Sequence, residues 1–101
     1  MRRGPPNSWR VYIVRCADGT LYTGVARDVV RRTAEHNGEG GRGAKYTRGR
    51  RPVRLIYSKP ARSRSEALRR EARLKRLSKQ QKETLVRLSP AHSLPKTRLK
   101  K

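Results

Sequence analysis

Hydrophobic and polar positions alternate over two short stretches near the start of the chain, residues 9–16 and 20–25. Valine, isoleucine, leucine and tyrosine dominate both stretches, and such residues favour β-strands. The stretches are joined by Ala17-Asp18-Gly19, which contains the Asp-Gly pair typical of tight hairpin turns. The pattern therefore predicts a β-hairpin, on which we expect the rest of the chain to be built.

Side-chain alternation assigns the residues of this hairpin to faces. Val11 and Ile13 are predicted to share one face of the first strand, and Tyr12 and Val14 the other. Gly24 stands within the second strand, where a glycine often marks the close approach of another backbone or a ligand. We expect Gly24 to let the first helix come close to the sheet.

Capping residues and apolar spacing predict one further strand and several helices. Asp28 is expected to cap a helix over residues 29–37, and a short helical turn is expected at 44–47. Residues 53–58 alternate as a third strand, with positions 53, 55 and 57 on one face. Ser63 and Glu66 have the spacing of a capping box before a helix that ends near residue 77. A last helix, capped by Ser78, is expected to run to about residue 88.

Glu71 occupies an unusual place in the predicted helix over residues 65–77. At about 100° per residue, Ala67, Leu68 and Leu74 fall within about 60° of Glu71, so its carboxylate should face the core while Glu66 faces outward. Desolvating a carboxylate is costly unless it has a partner. The pattern predicts either an ion pair, with Arg32 as the candidate, or a bound metal ion.

Charge makes nucleic acid the first partner to consider. The chain has 101 residues, which predicts one domain, and a net charge of +21 that is spread along its whole length. A protein this basic repels itself unless it meets polyanions. It has no long apolar run and a single cysteine, Cys16, so we expect a reduced, cytoplasmic protein that does not enter a membrane.

Five features in order resemble the GIY-YIG endonuclease superfamily, and most closely its small stand-alone bacterial members. Arg10-Val11-Tyr12 and Tyr22-Thr23-Gly24 stand where the family has its two signature tripeptides. Arg32 and His36 follow at the spacing of the family's first helix, and the run from Gly43 to Pro52 resembles the loop of the small members. Glu71 falls on the family's metal-binding glutamate.

The resemblance implies an α+β fold with a small three-stranded antiparallel sheet flanked by helices, in the order β-β-α-(α)-β-α-α. It covers most of the chain, so we expect a nuclease-like domain over residues 9–88. A disordered basic segment over 1–8 would precede it, and a flexible basic tail over 89–101 would follow. No separate DNA-recognition domain is expected, and the sequence predicts no oligomeric state.

The resemblance further implies a metal-dependent endonuclease that hydrolyses phosphodiester bonds of structured or single-stranded DNA, in DNA repair or processing. Glu71 would bind one divalent ion, Mg²⁺ or Mn²⁺, because a single carboxylate suits an ion that keeps several waters. Arg32 would contact the phosphate. Tyr12, Tyr22 and His36 remain alternative bases for the attacking water.

Substrate binding is assigned to positions next to the second signature and in the basic loop. These are Gly24, Arg27, Arg31, Lys45, Tyr46, Arg48, Arg50 and Arg51. Such contacts would give salt-sensitive affinity with little dependence on base sequence. The alternative from another class is a basic protein that binds RNA or DNA without cleaving it.

Overall fold

The structure is a computed structural model that describes residues 8–41 and 43–89. The three strands form an antiparallel sheet in the order β2-β1-β3. Among the described residues, two α-helices precede β3 in the sequence and two follow it. This confirms the predicted α+β class and element order. The elements are β1 (Trp9–Arg15), β2 (Leu21–Ala26), α1 (Val29–His36), a 3₁₀ turn (Glu39–Gly41), α2 (Lys45–Arg48), β3 (Arg54–Ala61), α3 (Arg64–Lys75) and α4 (Lys79–Leu88).

The predicted hairpin forms between β1 and β2. The N–H of Cys16 donates to the carbonyl of Thr20, and Gly19 at the turn has a φ of 87°, which favours glycine. Asp18 accepts hydrogen bonds from the backbone and the hydroxyl of Thr20. The turn fixes the register of the pair, in which Tyr12 lies opposite Gly24.

The central strand β1 carries a hydrophobic core on each of its faces. Val11 and Ile13 pack with residues of α3 and α4, including Leu74 and Leu85. Tyr12 and Val14 lie in a second cluster with Val29 of α1 and with Cys16 and Val53. The predicted alternation along this strand is confirmed, and helices cover the sheet on both sides.

A β-bulge overturns the alternation predicted for the third strand. Ile13 of β1 lies opposite Tyr57 and Val14 lies opposite Leu55, which leaves Ile56 as the extra residue. Val53 and Leu55 therefore join the Tyr12 cluster, whereas Tyr57 joins the Val11 cluster on the other face. The prediction that positions 53, 55 and 57 share one face was wrong, because the bulge shifts the side-chain alternation by one residue.

The side chains of α3 are placed differently from the sequence prediction. Ala67 is fully buried, but Leu68 is exposed because it lies about 120° around the helix from Leu74, which packs in the core. The side chains of Glu66 and Glu71 are 24% and 19% exposed, so the expected contrast between them was wrong.

Helix caps follow the predicted serines with one change of partner. The hydroxyl of Ser63 accepts from the N–H of Glu66, but the Glu66 carboxylate accepts from the N–H of Arg62 rather than closing a capping box. Ser78 and Gln81 form a complete capping box at the start of α4.

The predicted disordered termini fall almost wholly on residues 1–7 and 90–101, which lie outside the described residues. The boundaries of the nuclease-like domain thus stay a prediction. In the part of the chain that is described, no helix combines the length and the apolar character needed to cross a membrane.

Candidate active site

A buried hydrogen bond between Tyr12 and His36 forms the centre of the site. The hydroxyl of Tyr12 lies 2.8 Å from Nε2 of His36, and the two side chains are 1% and 0% exposed. One residue comes from the middle of β1 and the other from the last turn of α1. Neither side chain reaches solvent, so a substrate cannot touch them without displacing another group.

The groups around Nδ1 of His36 fix the tautomer of its ring. The backbone N–H of Ala44 donates to Nδ1 at 3.3 Å, so Nδ1 is an acceptor. Burial lowers the pKa of His36 to about 4, with smaller contributions from the charges around it, so the ring is neutral at pH 7. Nε2 therefore carries the proton and donates it to the oxygen of Tyr12.

Thr47 completes this arrangement from the short helix α2. Its hydroxyl oxygen lies 3.2 Å from Nδ1 of His36 and 2.9 Å from the carbonyl oxygen of Ala44, so its one proton can be donated to either acceptor. Thr47 is fully buried. The loop that carries the predicted substrate-binding cations thus also holds the histidine behind Tyr12. Thr47 is not among the residues that the sequence predicted for the site, because its place between Tyr46 and Arg48 gives no signal of burial.

Arg32 links the buried pair to the surface. Its guanidinium donates to Glu35 at 2.9 Å and also hydrogen-bonds the hydroxyl of Tyr12, and its side chain is 29% exposed. Burial raises the pKa of Tyr12. The charges of Tyr22 and Glu71 raise this pKa further, and Arg32 lowers it. Three of the predicted site residues, from β2, α1 and α3, therefore act electrostatically on one phenol.

Tyr22 lies in a stack of rings at the mouth of the site. Its ring meets the edge of His36 at 5.2 Å and stacks on Tyr46 at 5.5 Å between centroids. The guanidinium of Arg50 covers the ring of Tyr46 at 4.1 Å and is held by an ion pair with Asp18. Tyr46 therefore contacts a ring on one side and a cation on the other.

Gly24 makes room for Tyr12 rather than for the first helix. A Cβ at this position would lie 2.6 Å from the hydroxyl oxygen of Tyr12 and 2.8 Å from Cζ, closer than real contacts allow. The expected approach of α1 was therefore the wrong reason for this glycine. Its neighbour Thr23, where the family signature has isoleucine, has a buried hydroxyl that makes no hydrogen bond with described residues.

Glu71 is partly exposed and forms an ion pair with Lys75, one turn further along α3, at 3.2 Å. Lys75 is itself 54% exposed and so holds the carboxylate only loosely. The sequence predicted Arg32 as the ion-pair partner of Glu71, but Arg32 forms its ion pair with Glu35.

The predicted binding residues fall into two groups. Arg50 and Arg51 are committed to the protein, since Arg51 donates to the carbonyl of His36 and Arg50 to that of Tyr46. Arg31 forms an exposed ion pair with Glu35. The side chains of Lys45 and Arg48 make no hydrogen bond or ion pair with described residues and remain available to a ligand.

The chain matches a known protein family over most of its length. The family model of the GIY-YIG catalytic domain matches residues 8–84. A UPF0213 protein of Desulfotalea psychrophila is 55% identical over 82 residues, which cover 81% of this chain and 74% of that protein. A UPF0213 protein of Halobacterium salinarum is 59% identical over 75 residues, which cover 74% of this chain and 95% of that protein.

Two solved structures have the same architecture. The solution NMR structure of a UPF0213 protein from Bacillus halodurans matches with a TM-score of 0.53 and 46% identity, covering 83% of this chain and 87% of that one. The NMR structure of a protein from E. faecalis matches with a TM-score of 0.57 and 37% identity, covering 86% and 88%. None of these names states a substrate or a reaction.

Proposed function

This chain belongs to the GIY-YIG family of catalytic domains, and on that premise we propose that it is a metal-dependent endonuclease that hydrolyses phosphodiester bonds, in DNA first of all. The observation that carries the proposal is that Tyr22, Arg32 and Glu71 all act electrostatically on the hydroxyl of Tyr12, to which Arg32 is also hydrogen-bonded. A phenol, a guanidinium and a carboxylate are the groups that could handle water, phosphate charge and a metal ion respectively.

The donor set at Glu71 fits an ion such as Mg²⁺ or Mn²⁺. The described residues contain no cluster of three histidine, cysteine or acidic side chains, and Mg²⁺ is typically held by one or two carboxylates together with waters and substrate phosphate. Exchanging the loose contact with Lys75 for such an ion costs little. When bound, a divalent ion polarises the scissile phosphate and stabilises the charge that develops on it.

Among the three candidate bases, Tyr22 fits the role best. It is partly exposed, and its hydroxyl makes no hydrogen bond with described residues, so it can meet a water molecule at the mouth of the site. His36 is fully buried, and its Nε2 donates its proton to Tyr12. We therefore assign Tyr22 to orienting or deprotonating the attacking water, and Tyr12 and His36 to positioning.

Arg32 completes the proposed machinery. Its position between Glu35 and the hydroxyl of Tyr12 restricts the guanidinium, while 29% of the side chain stays exposed. A guanidinium held in this way can donate two parallel hydrogen bonds to a phosphate. We propose that it binds the non-bridging oxygens as negative charge builds up.

The proposal extends to the biological setting. A role in DNA repair or processing in the cytoplasm agrees with a strongly basic chain whose one cysteine is a free, buried thiol. The alternative function, binding RNA or DNA without cleavage, is favoured only by the charge of +21. A binding protein has no need for a half-buried carboxylate near Tyr12.

The test is the variant Glu71→Gln beside its control Glu66→Gln. Both glutamates lie on α3, both are partly exposed, and each has a cation one turn further along. With Mg²⁺ or Mn²⁺ we expect wild type and Glu66→Gln to cleave at least one of single-stranded, duplex, flapped or branched DNA. Glu71→Gln should lose at least about a hundredfold in rate, roughly 2.7 kcal/mol of barrier, yet bind DNA as before.

Two outcomes would contradict the proposal. Cleavage that survives EDTA would exclude a metal-dependent reaction. If wild type binds these DNA substrates and RNA substrates of the same shapes, but cleaves none of them with either ion, the alternative of a binding protein without nuclease activity is correct.

A further inference from the structure

Trp9 holds two arginines from different parts of the chain. The guanidinium carbon of Arg27, just after β2, lies 5.3 Å from the centre of the Trp9 ring. That of Arg64, the first residue of α3, lies 5.8 Å from it. Both distances are within the range of cation–π attraction, for which tryptophan is the best aromatic partner.

The donor groups of these two arginines meet no acceptor in the part of the chain that the structure describes. Among the described residues, neither side chain forms an ion pair or a hydrogen bond, and both arginines are exposed. Stacking on an indole occupies the face of a guanidinium but leaves the N–H groups at its edge free to donate. By contrast, Arg15, Arg50 and Arg70 each have an acidic partner.

The position of this cluster relative to the candidate active site follows from α3. Arg64 and Glu71 are seven residues apart, which places them on the same side of the helix and about 10 Å apart along its axis. One strand of a duplex advances about 3.4 Å per nucleotide. A strand at the scissile position would therefore reach Arg64 after about three nucleotides.

We propose that Trp9, Arg27 and Arg64 form a clamp for the phosphates of the substrate strand, about three nucleotides from the scissile bond. The inference rests on the proposed function for the place of the scissile bond, but binding at the clamp needs no cleavage. Trp9 restricts the positions of the two guanidinium groups before the substrate binds, so less side-chain entropy is lost on binding. The ligand is the phosphodiester backbone, whose non-bridging oxygens match the N–H groups at the edge of a guanidinium whatever the base sequence.

Trp9 is the only tryptophan in the chain, so its fluorescence reports on the clamp directly. The experiment titrates the full chain with a 12-nucleotide single strand and with a 12-base-pair duplex in EDTA, at several salt concentrations. The variant is Arg27→Gln with Arg64→Gln. The control is Arg54→Gln with Arg87→Gln, which removes the same charge. Arg54 of β3 lies opposite Arg15 in the sheet, at the end of β1 that is about 20 Å from Trp9.

We expect nucleic acid to change the Trp9 fluorescence of wild type and of the control. The clamp variant should bind about tenfold more weakly, and the slope of log K against log salt should fall by about 2, one for each lost phosphate contact. In the control both quantities should stay close to wild type. A third protein, Trp9→Leu, followed by anisotropy of labelled DNA, should lose affinity in the same direction.

Equal losses in the clamp and control variants would overturn the proposal, because they would show a general charge effect. Saturation of the fluorescence change by micromolar inorganic phosphate would overturn it in favour of a site for a free anion. Failure of the proposed nuclease function would instead leave these binding results intact, since every titration is carried out without metal.

Discussion

At the scale of single residues, the missing side chain of Gly24 sets the place of Tyr12. The two residues are directly opposite in the hairpin, and a Cβ on Gly24 would lie within 3 Å of the Tyr12 ring. His36 and Arg32 hold the hydroxyl from other directions, so the ring cannot easily move aside. The absence of a Cβ at Gly24 therefore leaves the space in which the Tyr12 ring and its hydrogen-bond partners fit.

The variant Gly24→Ala should destabilise the protein by about 1–3 kcal/mol, because the added methyl overpacks a rigid site. It should also break the Tyr12–His36 hydrogen bond and lower any nuclease rate. Chemical denaturation measures the first effect. Gly49→Ala is the control, since nothing lies within 4 Å of its Cβ position and its φ is −92°, and it should stay within about 0.5 kcal/mol. Equal effects at both glycines would contradict the account.

His36 should make stability depend on pH. Its pKa is about 4 in the folded chain because of burial, against about 6.5 when unfolded, so the neutral ring favours the folded state. That contribution is complete above pH 6.5 and is lost as the pH falls towards 4, at about 1.4 kcal/mol per pH unit.

Denaturation of wild type between pH 7 and 5 should therefore show falling stability, and His36→Gln should flatten that slope whatever its stability at pH 7. His92, in the tail, is present in both proteins and cancels in the comparison. Parallel slopes for the two proteins would refute the low pKa of His36.

At the scale of elements, the short helix α2 connects the basic loop to the buried site. Lys45, Tyr46 and Arg48 face outward, while Thr47 turns inward to His36 and to the carbonyl of Ala44. Four residues thus present cations to a ligand and hold the ring behind Tyr12. A change in the position of this loop would therefore shift His36 and alter its hydrogen bond to the hydroxyl of Tyr12.

The variant Thr47→Val keeps the shape of the side chain and removes its hydroxyl. We expect a loss of about 1–3 kcal/mol in stability, because buried polar groups lose a partner. The ¹⁵N chemical shifts of the His36 ring should change from those of a single tautomer to those of a mixture. The variant should lower kcat by a larger factor than it changes KM. Thr84→Val on α4, which removes a partly exposed Thr-to-backbone bond, is the control. Unchanged ring shifts in Thr47→Val would show that Thr47 does not position His36.

At the scale of the whole molecule, the charge balance leaves most cations without acidic partners. The chain has 7 acidic residues against 28 lysines and arginines. Five of the acidic side chains are engaged in ion pairs, namely Asp18, Glu35, Glu66, Glu71 and Glu83. The remaining positive charge has to be balanced from outside, and a polyanion is the natural source.

The sequence predicted the hairpin, the helices and the family correctly because those features depend on local patterns. Asp-Gly fixes a turn, alternation fixes the faces of β1, and the spacing from Gly24 to Arg32 and His36 is read directly along the chain. It failed on the faces of β3, since a bulge depends on the strand paired beside it. It also failed on Leu68 and Glu66, because the packing of the sheet decides which side of α3 is buried.

The sequence by itself determined the element order, the positive charge and the identity of the candidate residues, because these follow from composition and short-range spacing. The tertiary structure alone decided how those residues meet. Packing placed Gly24 beneath the ring of Tyr12. It set the N–H of Ala44 against Nδ1 of His36, which leaves the ring proton on Nε2. It also brought Arg27 and Arg64 to the ring of Trp9. No local pattern encodes those distances, since they exist only once the sheet and helices have packed.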